Sequence, residues 1–207
     1  MSVVSLLYKH KIVAIIRGAK PGDVMEIAAA LHNGGIRALE VTLNSENALV
    51  LIRQLADQFK DSMQVGAGTV LNSASAMAAI AAGAQFIISP LLDIDTISVT
   101  KAQGIVSIPG AYTATEIVKA HEAGADIVKV FPAQSAQYIK DLRGPLSHIP
   151  LMPTGGVNIS NICAFRDAGA IAFGIGSALV DSSQPVTAAY LAALTEKARA
   201  FVQALEV

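Results

Sequence analysis

A lysine and a glutamate stand where the surrounding pattern calls for apolar residues. Lys129 lies inside Ile127-Val128-Lys129-Val130-Phe131 and Glu40 inside Ala38-Leu39-Glu40-Val41-Thr42. An ammonium withdrawn from water without a partner is costly, and the usual relief is a lowered pKa. A neutral amine in a dry pocket is the nucleophile that condenses with a carbonyl to give a Schiff base. The plainer reading is a structural lysine paired to a buried carboxylate. Glu40 suits either reading, as the ion-pair partner or as a proton shuttle for carbonyl chemistry on the lysine.

Other polar residues follow strand-like runs directly. Arg17 ends the run KIVAIIR, and Thr69 follows Gly66-Ala67-Gly68. A guanidinium with a hydroxyl donor beside it suits a small carboxylate, although each alone also serves as a loop anchor. Asn44 lies just beyond the Glu40 run. Two glycine-rich turns, Pro153-Thr154-Gly155-Gly156-Val157 and Gly174-Ile175-Gly176-Ser177-Ala178, close the series. Glycines let backbone N–H groups approach an anion, and helix N-termini following such turns favour negative charge.

These residues stand out because charge is scarce. The chain has 207 residues, 53% hydrophobic and 15% charged, with a net charge of −1 and no Trp. That balance excludes disorder and argues against a nucleic-acid partner, since there is no basic stripe. Mean hydropathy is +0.51, yet no stretch of about 18 uncharged apolar residues suggests a membrane span. The first residues lack a signal-peptide pattern, and a cytoplasmic location is expected. His10, His32, His121 and His148 stand singly without ligand spacing, so no metal and no cofactor is expected. Cys163, in the helix-like NISNICAFRDAG, reads as a small buried hydrophobe.

The elements that must hold these residues recur every twenty-odd positions. Eight β-branched runs begin at Lys11, Ile36, Met63, Gln85, Gly104, Asp126, Ile149 and Ala170. Segments of helical spacing separate them, many ending at glycine: Gly34-Gly35, Gly83, Gly124 and Gly169. Thr113 and Glu116 read as a capping box. Eight alternating strands and helices predict an α/β fold, a single (β/α)8 (TIM) barrel over residues 1–207, with an extra helix at 2–9 closing the bottom. The rival, an open doubly wound sheet, lacks its usual G-x-G-x-x-G after the first strand. Active sites of such barrels lie at the carboxyl ends of the strands, and inward side chains of alternate strands share a layer. Glu40 on the second strand and Lys129 on the sixth are therefore expected to face one another. Loops after the seventh and eighth strands, where such barrels commonly bind phosphate, carry the two glycine-rich turns.

At these residues the sequence resembles the 2-keto-3-deoxy-6-phosphogluconate and 4-hydroxy-2-oxoglutarate aldolases. The resemblance runs from about Lys11 to Val180 and rests on KIVAIIR, GIRALEVTLN, VGAGTVLN, FIISP, IPGAYTATE, GADIVKVFPA, MPTGGVN and GIGSALV. It implies a metal-free class I aldolase in which Lys129 forms the Schiff base and Glu40 is general acid and base. Arg17 and Thr69 match positions that hold the pyruvate carboxylate. Gly155, Gly156, Gly176 and Ser177 match the distal phosphate site. The family is usually homotrimeric. Expected products are pyruvate and glyceraldehyde 3-phosphate, with 4-hydroxy-2-oxoglutarate as a second substrate giving pyruvate and glyoxylate. Two departures bear on specificity. Asn44 stands where the family often has Arg, as in relatives acting on the galactonate epimer, and Gln137 stands near an expected glycine in a loop that reads short. The alternatives are a 2-keto-3-deoxy-6-phosphogalactonate aldolase, a phosphosugar isomerase or epimerase using the same pair without a covalent bond, and a non-catalytic phosphosugar-binding barrel.

Overall fold

Strands buried on both faces build the barrel wall, and alternation between its two faces aims the site residues. The structure, a computed structural model, describes residues 2–60 and 62–206. Strands β1 (Ile12–Ile16), β2 (Ala38–Thr42), β3 (Gln64–Gly68), β4 (Phe86–Ile88) and β5 (Val106–Ile108) are followed by β6 (Gly110–Ala111), β7 (Val128–Val130), β8 (Leu151–Pro153) and β9 (Phe173–Ile175). All pair in parallel, in the orders β5-β4-β3-β2-β1-β9 and β6-β7-β8. A parallel bridge from Thr154 to Gly174 joins β8 to β9, and the chain itself joins β5 to β6. The sheet is thereby closed into the expected (β/α)8 barrel.

The expectation of eight strands is corrected at the fifth stave, which is two strands interrupted at Pro109. Proline has no N–H to give to a ladder. Its carbonyl remains in use, accepting from the Lys129 N–H at 2.9 Å.

Along β7, Val128 and Val130 belong to the outer core between sheet and helices, whereas Ile127 belongs to a second cluster inside the barrel. Alternation therefore turns Lys129 inward with Ile127. The same rule turns Glu40 inward on β2, because Leu39 and Val41 pack in the outer core and Ala38 in the inner one. Helix α1 (Val3–His10) closes the bottom through Leu7, which joins Phe86, Val13 and Met152 in the inner cluster. Both charged residues consequently lie above an apolar plug.

Helices α2 (Val24–Asn33), α3 (Ala48–Gln58), α4 (Ser73–Ala81), α5 (Ile94–Ala102), α6 (Ala114–Glu122), α7 (Ala136–Arg143), α8 (Ile162–Asp167) and α9 (Ala188–Leu205) surround the sheet. Local signals account for their ends. Thr113 and Glu116 form the expected capping box on α6. Gly35, Gly83, Gly124 and Gly169 have φ of 94–101°, a conformation that glycine adopts without a Cβ clash. Gly34, expected to share that role, has φ −79°. Among the described residues, no helix is long and apolar enough to cross a membrane.

Candidate active site

The inward positions of β2 and β7 bury a carboxyl and an amine in the barrel interior. Glu40 is 1% and Lys129 3% exposed. Desolvation lowers the Lys129 pKa from 10.5, opposed by the Glu40 charge and reinforced by Arg17. Desolvation raises the Glu40 pKa from 4.5, opposed by Lys129 and Arg17. Burial outweighs mutual attraction in both, so each group is driven toward its uncharged form. No hydrogen bond or ion pair among the described residues joins them, and Glu40 Oε2 has no protein partner. The amine stands 4.9 Å from the centroid of the Phe131 ring.

Glycine makes the room for the carboxyl. A Cβ on Gly68 would meet Glu40 Cδ, Oε1 and Oε2 at 2.4–2.6 Å. The β2–β3 register, Glu40 opposite Gly66 and Thr42 opposite Gly68, puts this stretch of β3 beside the glutamate.

Above the pair opens a cavity of about 430 Å³. Ile15 and Arg17 of the first stave, Phe131, the Thr154–Asn158 loop and the chain from Gly174 to Ser182 contribute its walls. Lys129 and Glu40 do not line it; they adjoin residues that do, Lys129 against Phe131 and Glu40 in register with Ile15. Arg17 is exposed at the rim, and no hydrogen bond or ion pair among the described residues holds its guanidinium. An unpaired guanidinium over a cavity is a ready carboxylate or phosphate receptor.

Gly155, Gly156, Gly176 and Ser177 all line the cavity. Gly155 and Gly156 have φ of +81° and +82°, a left-handed pair that a side chain would strain. The expectation of helix N-termini behind these turns is corrected. After β9 the chain makes a single turn, with Leu179 and Val180 N–H donating to the Gly176 carbonyl, and α9 begins only at Ala188. Asp181 stops the turn by accepting from the Ser183 N–H and hydroxyl and from Gln184 Nε2. After β8, an Asn158–Asn161 turn precedes the short α8. The cavity is therefore walled here by turns rather than by the start of a long helix.

Thr69 and Asn44 do not line the cavity. Thr69 sits at the end of β3 with φ 56°, a conformation costly for a β-branched residue, by about 1–3 kcal/mol. Its neighbours hold it: Leu43 N–H donates to the Gly68 carbonyl at 2.8 Å and Val70 N–H to the Ile88 carbonyl at 3.2 Å. Gln137 is exposed on α7, donating to Asp141.

Phe131, Thr154 and Ser182 are among the cavity residues that sequence reasoning missed. Phe131 was findable, being two positions beyond Lys129 on the same strand face. Thr154 lies within the PTGG motif, 3% exposed, with its Oγ1 unpartnered; a buried hydroxyl without a protein partner is available to a ligand. Ser182 carries no local signal, since the turn ending at Asp181 brings it to the cavity.

Comparison with known proteins agrees with this arrangement. The family model for KDPG and KHG aldolase matches residues 3–194. The 2-dehydro-3-deoxy-6-phosphogalactonate aldolase of Escherichia coli K12 is 36% identical over 200 residues, 94% of this chain and 98% of its own. A native KDPGal structure superposes with a TM-score of 0.87 at 34% identity, covering 93% of each chain. The KDPG aldolase of Legionella pneumophila, captured with pyruvate as a covalent carbinolamine, superposes with a TM-score of 0.84 at 27% identity over 97% of this chain and 98% of its own. The fold is thus shared with these relatives over nearly the whole chain, and the chain belongs to the KDPG and KHG aldolase family.

Proposed function

We propose that the chain reversibly cleaves a 2-keto-3-deoxy-6-phospho sugar acid to pyruvate and glyceraldehyde 3-phosphate through a Schiff base on Lys129. One observation carries this reading: an amine and a carboxyl, Lys129 and Glu40, are both buried in the barrel interior beside the cavity residues Phe131 and Ile15. Neutral Lys129 Nζ attacks C2 of the keto acid to form a carbinolamine, and loss of water gives a protonated iminium. The Glu40 carboxylate, directly or through one water, takes the C4 hydroxyl proton. The C3–C4 bond breaks, its electrons entering the iminium to give an enamine, and the aldehyde leaves. Glu40 returns the proton to C3, and water then hydrolyses the iminium, releasing pyruvate and restoring the amine.

Arg17 and Thr69 hold the pyruvate carboxylate in this scheme, and Gly155, Gly156, Gly176 and Ser177 hold the phosphate. Arg17 at the rim and the paired left-handed glycines of the loop after β8, all lining one cavity, support that assignment. The short keto acid 4-hydroxy-2-oxoglutarate follows the same steps to pyruvate and glyoxylate. The gluconate-derived sugar acid is the first substrate proposed. The galactonate epimer is the second reading, supported by Asn44 and by the Escherichia coli relative matched over nearly its whole length. The enzyme is proposed to act in the cytoplasm as a homotrimer. Exposed Leu71, Met77, Leu91 and Ile94, on and beside the packed helices α4 and α5, support an oligomer. Light scattering on the purified protein measures the subunit number.

Incubation with pyruvate and borohydride tests the mechanism. One reduced pyruvyl group is expected on Lys129 by mass spectrometry; no adduct, or an adduct on another lysine, would refute the scheme. Pyruvate release from both phosphorylated epimers and the short keto acid ranks the substrates.

A further inference from the structure

Arg17 and Thr69 sit on separate loops, and the short segment between β2 and α3 touches both. Leu43 N–H donates to the Gly68 carbonyl, next to Thr69. Ser45 Oγ accepts from the Gly18 N–H at 2.9 Å, next to Arg17, and lies 3.0 Å from Thr42 Oγ1. Thr42 is fully buried at the end of the strand that carries Glu40, so it offers a fixed anchor. The Arg17–Gly18 loop is anchored at its ends by buried Ile16 and Ala19, but not between them. Arg17 and Gly18 are both exposed, and a Cβ on Gly18 would find nothing within 4 Å.

We propose that Ser45 is a positioning residue for substrate binding: its hydroxyl tethers the Arg17 loop to the end of β2 and keeps the guanidinium over the cavity. This rests on reading Arg17 as the carboxylate receptor. The chain thereby couples the carboxylate end to the strand bearing the proton shuttle, through Thr42 and Ser45. A group held in place by one hydrogen bond loses orientation, and hence affinity, when that bond is deleted.

The test measures half-saturating pyruvate in borohydride trapping, kcat for keto-acid cleavage, inhibition by inorganic phosphate as a probe of the glycine-rich turns, and the melting temperature. Ser45→Ala is expected to raise half-saturating pyruvate roughly three- to tenfold, the worth of one hydrogen bond. It should leave kcat within about twofold and phosphate inhibition unchanged. Ser45→Thr, which keeps the hydroxyl, is expected to restore pyruvate binding. Arg17→Ala should weaken pyruvate at least as much. If Arg17→Ala weakens pyruvate and Ser45→Ala does not, the tether is refuted while the carboxylate reading stands. If Arg17→Ala has no effect, that reading is refuted and the tether with it. A Ser45→Ala enzyme that melts well below its parent has loosened generally, which also overturns the positioning role.

Discussion

At the scale of single residues, the chemistry depends on which charges push on one amine. Desolvation lowers the Lys129 pKa; Glu40 opposes this and Arg17 adds to it. The trapping rate with pyruvate must then fall on acidification, as Nζ becomes protonated, with a midpoint below the ordinary lysine value of 10.5. Glu40→Gln removes the opposing charge, so the acid limb of that profile should move to lower pH. Arg17→Ala should move it to higher pH. Glu40→Gln should also slow keto-acid cleavage about 10²–10⁴-fold, the usual worth of a general acid–base group. Trapping and cleavage rates measured across pH check both signs, and a limb that stays in place in both variants would contradict the electrostatic account. Lys129 and Glu40 were legible in the sequence because so few charges interrupt its strands. Thr154 was not, since a hydroxyl within a glycine-rich turn gives no sign that its Oγ1 will be left unpartnered.

At the scale of elements, strand β3 makes the room that Glu40 occupies. A methyl group on Gly68 would overlap the Glu40 carboxyl at 2.4–2.6 Å. The carboxyl is the end of a flexible side chain, so it can move aside without displacing backbone. Gly68→Ala is therefore expected to fold and to keep its thermal midpoint within a few degrees. Its cleavage rate should fall about 10²-fold or more, as the shuttle is misplaced. Comparing kcat with the melting temperature decides the matter; cleavage within a few-fold of the parent would show that the carboxyl tolerates the shift. Most elements were readable from local signals: short β-branched runs for the strands, Thr113–Glu116 for a helix start, Gly83 and Gly124 for helix ends. The break of the fifth stave was written in the run as well, in a proline without an N–H for the ladder. The single turn after β9 was not readable, because nothing in the Gly-Ser run shows that the next helix starts only at Ala188.

At the scale of the whole molecule, the cavity exists only because the barrel closes. Arg17, near the start of the chain, and Gly176, near its end, share one wall because β1 pairs with β9, Val13 beside Gly174. Closure also surrounds two ionisable groups with apolar walls, so the site lowers the stability of the barrel that makes it. The two contributions depend on pH in opposite senses. The Lys129 pKa is lowered on folding, so its cost is largest at low pH and is relieved as pH rises toward 10.5. The Glu40 pKa is raised on folding; its contribution is favourable below 4.5 and is lost as pH rises through the folded value. Near neutrality both groups lie on the unfavourable side. Replacing both by unbranched apolar residues of similar length, Lys129→Met with Glu40→Met, should then stabilise the fold. Exchanges of buried ionic groups for apolar ones commonly gain about 1–4 kcal/mol. A gain of about 1–2 kcal/mol corresponds to roughly 2–8 °C in a domain of this length. Calorimetry at neutral pH should show the inactive double variant melting above its parent. An equal or lower melting temperature would mean that the lysine and glutamate stabilise the barrel, and that function and stability are not opposed at this site.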